Sequence, residues 1–158
     1  MRKVKSTYDP IGHRWTFGTA DRLARYDIVY QSPPTDPTEG MAIGNGDFGS
    51  LLWTESTRII AVLNKNDVWD DEAEGEYRFR EEEISSLRHC GRLIVDFSMP
   101  VFDPIYQRRC DGRLALGEAE ASLHAETPFS EVKFTAYASH DDRVMVLDCE
   151  AEFEEETE

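Results

Sequence analysis

The chain reads as an all-β, mainly antiparallel protein, a β-sandwich. Three observations predict it. Short apolar segments recur from Phe48 to Cys149, separated by polar or glycine-containing turns. Two of them, Leu93–Phe97 and Val132–Ala138, alternate with a period of two. Thr54-Glu-Ser-Thr57 is a polar four-residue connection of hairpin kind between two of these segments. The apolar fraction of 40% over 158 residues is enough for one domain with its own core.

Residues 1–25 show little periodicity and read as an irregular basic lead-in, with one helical turn near Asp21–Arg25. Six Lys or Arg stand there against Asp9 and Asp21. The sandwich domain is expected over residues 26–149. Ile28–Tyr30 is a short strand. Ser32-Pro-Pro-Thr-Asp-Pro37 then excludes regular pairing, because proline lacks the N–H and fixes φ. Gly44-Asn-Gly-Asp-Phe-Gly49 is a sharp turn. Gly44, Asn45, Gly46 and Gly49 are the residues that permit it.

Phe48–Trp53 and Arg58–Leu63 form a hairpin around Thr54–Thr57. Asn64–Glu83, with nine acids and three bases, reads as a long loop, and Phe79–Arg88 as one short helix. Strands follow at Leu114–Leu116, Ala119–Ala125, Val132–Ala138 and Val144–Cys149, with His140–Arg143 as a tight turn. Val132, Phe134 and Ala136 are expected to share one buried face. Residues 150–158 read as an acidic tail.

Charge excludes some functions. A net charge of −15 argues against nucleic acid, whose phosphates it repels, and against an anionic membrane face. Cys90, Cys110 and Cys149 make an odd count without a C-x-x-C spacing, so free thiols are expected. His13, His89, His124 and His140 are scattered. No metal and no cofactor are therefore expected. The basic N-terminus is not followed by an apolar stretch of signal-peptide kind, and a cytoplasmic location is the expectation.

Gly44–Gly49 matches G-x-G-x-x-G only formally. A dinucleotide site needs a preceding strand and a following helix, whereas this run follows prolines and leads into Ser50-Leu-Leu-Trp53. Asn64-Lys-Asn-Asp-Val-Trp-Asp-Asp71 is more suggestive. Asn64, Asp67, Asp70 and Asp71 offer hydroxyl partners around Trp69, whose face can stack on a sugar ring. The same residues can equally cap turns. A calcium loop starting at Asn64 fails, because Trp69 occupies the position that needs glycine. Two carboxylates about 5 to 10 Å apart would serve a glycosidase. Among 32 acids, however, such a pair is no signal. No catalytic residue is assigned.

Glu39-Gly-Met-Ala-Ile-Gly-Asn-Gly-Asp-Phe-Gly-Ser-Leu-Leu-Trp53, then Ile59–Leu63, then Asn64-Lys-Asn-Asp-Val-Trp69, resemble the opening of glycoside hydrolase family 95 and its relatives. Tyr30-Gln-Ser-Pro-Pro-Thr-Asp-Pro37, Trp69-Asp-Asp71 and Cys90-Gly-Arg-Leu93 point to a narrower subgroup with an N-terminal domain of unknown function. The resemblance spans about Tyr26 to Leu147. It implies a sandwich packed on an (α/α)₆ barrel that carries the catalytic carboxylate and its partners, and a sandwich here that is incomplete relative to the family's.

The functional expectation is thus a non-catalytic module that contributes Asn64, Asp67, Trp69 and Asp70 to a carbohydrate site. The alternatives are a stand-alone carbohydrate-binding module and an interaction domain that docks on a separate barrel. Two corollaries follow: Trp69 is at least partly exposed, and Val144–Leu147 mediates self-association or partner binding.

Overall fold

The computed structural model describes residues 8–9, 14–15, 22–70 and 86–154. Its strands are β1 (Tyr8–Asp9), β2 (Arg14–Trp15), β3 (Ile28–Tyr30), β4 (Met41–Gly44), β5 (Phe48–Glu55), β6 (Arg58–Asp70), β7 (Ser86–Asp96), β8 (Arg109–Ala115), β9 (Glu120–Glu126), β10 (Ser130–Ala138) and β11 (Met145–Phe153). Two short 3₁₀ turns, Ala24–Tyr26 and Pro37–Glu39, flank β3 and β4. The all-β expectation holds.

β1 and β2 form a two-residue ladder. The other strands build two antiparallel sheets, one ordered β11-β10-β9-β8-β3 and one ordered β4-β5-β6-β7. They pack face to face around one core. Met41, Ile43, Leu52, Ile59 and Ala61 come from the four-stranded sheet, and Leu114, Leu123, Val132, Phe134 and Ala136 from the other. Val101 and Phe102, in the crossing between the sheets, plug one end, where the Phe102 N–H donates to the Ser56 carbonyl at 2.9 Å. Val132, Phe134 and Ala136 do share the buried face, at 0, 3 and 0% exposure. These three inward side chains of β10 are apolar because a second sheet lies about 10 Å away.

Several boundaries differ from the sequence reading. β4 was not expected, because Met41–Gly44 follows the prolines closely. Pro33 and Pro34 are instead buried beside β5, and the Thr54 N–H and hydroxyl both donate to the Pro34 carbonyl (2.7 and 3.1 Å). The β5–β6 turn has two residues, Ser56 and Thr57, since Glu55 pairs with Arg58. Asn64–Asp70 is no loop but the far half of β6. Ser86–Arg88 begins β7 instead of ending a helix, and 79–85 lie outside the described residues. β11 runs on to Phe153, so the first part of the expected tail is paired with β10. The lead-in includes the β1–β2 ladder. Among the described residues, no helix is long and apolar enough to cross a membrane.

Candidate functional site

The Gly44–Gly49 run connects β4 to β5, and Gly44 pairs with Gly49 across the hairpin. Asn45 organises the turn. Its Oδ1 accepts the N–H groups of Asp47 and Phe48, both at 3.0 Å, and its own N–H donates to the Phe48 carbonyl at 3.1 Å. Gly46 adopts φ +91°, a conformation that L side chains rarely enter. A Cβ on Gly49 would stand 3.0 Å from the Ile43 carbonyl oxygen, so the hairpin would have to give by a few tenths of an ångström to hold one.

Asn45 also joins the two sheets. Its Nδ2 donates to the Ser139 carbonyl at 2.7 Å, in the connection between β10 and β11. Ser139 is itself braced there: its N–H donates to the Val144 carbonyl at 2.8 Å, and its hydroxyl bonds Asp142 at 3.2 Å. One side chain therefore fixes two turns from opposite layers at one end of the sandwich.

The second half of β6 leaves this end as an arm. β5 stops pairing at Phe48 opposite Lys65, whereas β6 continues to Asp70 with, among the described residues, only β7 beside it. The ladder there is bulged. Asn64 faces His89 and Trp69 faces Leu87, so Lys65–Val68 stand against Arg88 alone. Such an excess of residues on one strand re-aims side chains and breaks the period-two pattern.

The bulge is tied to the turn. The Asn66 N–H donates to the Asp47 carbonyl at 3.0 Å, and its Nδ2 to the Gly46 carbonyl at 3.1 Å. Lys65 hydrogen-bonds Asp67 and lies 3.7 Å from Asp47. The Trp69 Nε1–H donates to the Asn66 carbonyl at 2.7 Å, yet the residue is 53% exposed. The indole is thus held by its edge with a large part of its surface in water. The hydrogen bond from Lys65 holds the Asp67 carboxyl below the usual carboxylate range, and Asp67 in turn raises the Lys65 ammonium. Asp67 therefore accepts hydrogen bonds; it is not primed to give a proton.

Of the residues the sequence singled out, Asp67 and Trp69 lie on this arm within three residues of each other. Asn64 is half-buried within the ladder, between Gly49 and His89. The Asp70 backbone pairs with Ser86. The Asp70 side chain and Asp71 lie outside the described residues. Lys65, Asn66 and Asp47 were missed. Their signal was the proximity of the two motifs in sequence, which a hairpin of this length sets side by side.

Among the described residues, no group of three or more His, Cys, Asp or Glu is arranged to hold a metal ion. The three cysteines are free, and burial pushes the Cys110 thiol up to about 11, away from reactivity. No protein-family model and no curated protein sequence matches the chain.

Proposed function

We propose that the chain is a non-catalytic β-sandwich module, of the kind its motifs resemble in family 95-type glycoside hydrolases. In this reading the arm is one wall of a carbohydrate site, which a helical-barrel catalytic domain completes. The observation that carries it is Trp69: exposed, pinned through its N–H to Asn66, and adjacent to an ionised Asp67. A ring that is already positioned loses little freedom on stacking against the C–H face of a pyranose. A carboxylate and neighbouring amides accept and donate to hydroxyls.

The catalytic part of the family's reaction would belong to the barrel, because protonating a leaving oxygen needs a carboxyl kept neutral. Lys65 keeps Asp67 in the opposite state.

Titration of the ¹⁵N-labelled protein with neutral mono- and oligosaccharides of fucose and galactose tests this. The indole N–H resonance of Trp69 is expected to move at millimolar sugar, roughly −4 kcal/mol of binding. The resonance of buried Trp53 is expected to stay in place. A Trp69 signal indifferent to every sugar would sink the carbohydrate reading. Hydrolysis of aryl α-fucosides or galactosides by the chain alone, abolished in Asp67→Asn, would overturn the non-catalytic one.

A further inference from the structure

Burial fades along one border of the sandwich. On the inner face of the four-stranded sheet, Ile59 and Ala61 of β6 are buried. On neighbouring β7, Val95 is half-buried and Leu93 is 40% exposed. The facing sheet shows the same gradient. Val132, Phe134 and Ala136 of β10 are buried, Met145, Leu147 and Cys149 of β11 only partly, and Ala151 is exposed. Both gradients end on the same side of the molecule. Phe97, directly after β7, meets Phe153 at the end of β11 with ring centroids 6.5 Å apart.

β7 and β11 are also the terminal strands of their sheets. The outer N–H and C=O groups of β11 therefore have no strand partner among the described residues. An unpaired edge beside a half-covered apolar face has room for one more strand.

The charges select the occupant. Asp148, Glu150 and Glu152 alternate with the inward Leu147, Cys149 and Ala151, and β11 carries no base. Across the ladder they face Thr135, Lys133 and Glu131, and Lys133 is already held by Glu131 at 2.5 Å. A second β11 laid antiparallel would set acids near acids, which is unfavourable.

We propose that this border receives an extended segment of a partner protein whose residues alternate apolar and basic. Its main chain pairs with β11, its apolar side chains cover Leu93 and Val95, and its lysines or arginines meet Asp148, Glu150 and Glu152. This goes beyond the carbohydrate reading, since it concerns another face and survives that reading's failure.

An octapeptide alternating lysine with valine is the probe, compared with one alternating lysine with proline. The second carries the same charge but cannot supply a full set of strand donors. Calorimetry is expected to show the first binding at least about tenfold tighter, a difference of about 1.4 kcal/mol. Binding should weaken with salt, and hydrogen exchange should slow within Met145–Phe153. The triple variant Asp148→Lys, Glu150→Lys, Glu152→Lys should lose that binding and take a glutamate–valine octapeptide instead. Leu93→Asp, at a position already open to water, should weaken the valine peptide without unfolding the chain.

Equal binding of the two lysine peptides, or protection on β3 instead of β11, would overturn the proposal. So would self-association of the chain that strengthens with salt and displaces the peptide, because a second copy would then be the occupant.

Discussion

β10 and the outer half of β6 are both strands, but they obey different rules. β10 lies between β9 and β11 in its sheet, with the four-stranded sheet beneath it. Its side chains follow strict alternation: Val132, Phe134 and Ala136 buried, Glu131, Lys133, Thr135 and Tyr137 outward. Among the described residues the outer half of β6 has a neighbour on one side only, and its ladder is bulged between Asn64 and Trp69. Its polar residues bond one another and the Asn45–Asp47 turn. The contrast teaches that alternation records the presence of a covering layer, not strand geometry itself. Where a strand outruns its cover, the sequence looks like a loop while the backbone remains extended.

The sharpest way to break this comparison is to empty the covered side. Phe134→Ala should cost about 3–5 kcal/mol, read as a lowered urea midpoint, because the packed site collapses only in part. Lys133→Ala, one residue away but outward, should stay within about 0.5 kcal/mol. Similar losses at the two positions would mean that the sheets do not enclose β10 as described.

The hinge between the two regimes is Asn45. Asn45→Ala removes two acceptor bonds within the turn and the bridge to Ser139. A loss of about 1–2 kcal/mol is expected, since the freed N–H groups are only part-buried and water replaces some bonds. Hydrogen exchange separates this from general weakening. The Asn66 amide, which bonds the Asp47 carbonyl, should open far more than that of Phe134. Equal acceleration at both would show that the arm is not anchored through this turn.

The same contrast sets what could be read from the sequence. Val132–Ala138 was legible because each inward residue is apolar and each outward one is polar or long. The hairpin turn at Asn45 was legible from its glycines. Asn64–Asp70 was not, because acids and amides in a run signal solvent exposure, and an arm of two strands is as exposed as a loop. β4 was hidden by the prolines before it, and the last residues of β11 by acids that lie on its outward face. The pairing of Asp67 with Lys65, and of Trp69 with the Asn66 carbonyl, depends on a bulge that no local pattern announces.

Acid should separate the two regimes as well. Asp27 accepts from Arg113 and from the Leu116 N–H (2.9 Å), and its side chain is only 4% exposed. The Arg113 hydrogen bond leads in holding its carboxyl below the ordinary value. A carboxyl whose folded pKa lies under its unfolded value of about 3.9 adds stability that is present above that value. The contribution disappears as pH falls through the folded pKa. Asp27→Asn should therefore destabilise the protein at neutral pH and flatten its acid limb below about pH 4. Asp67 is lowered too, by Lys65, but its side chain is 63% exposed, and exposed pairs are worth little. Asp67→Asn should leave the acid limb unchanged. An acid limb that responds to Asp67 and ignores Asp27 would reverse the assignment.

The smallest stability effect is expected at Trp69. The ring is large, yet the residue is 53% exposed, and its indole N–H is tethered to the Asn66 carbonyl. Trp69→Ala should therefore shift stability by no more than about 0.5 kcal/mol, with the same urea slope as wild type. A side chain of this size that stability does not require is retained at a cost, since exposed aromatic surface favours association. That cost is explained if the ring serves a contact with another molecule. Trp69→Phe keeps an apolar ring but loses the N–H that fixes it, so under the proposed carbohydrate reading it should bind sugar more weakly than wild type and better than the alanine variant. If Trp69→Ala instead lowers stability by about 2 kcal/mol or more, the indole is a packing residue of the β6–β7 arm. The distinction between covered sheet and free arm would then fail at the residue on which it matters most.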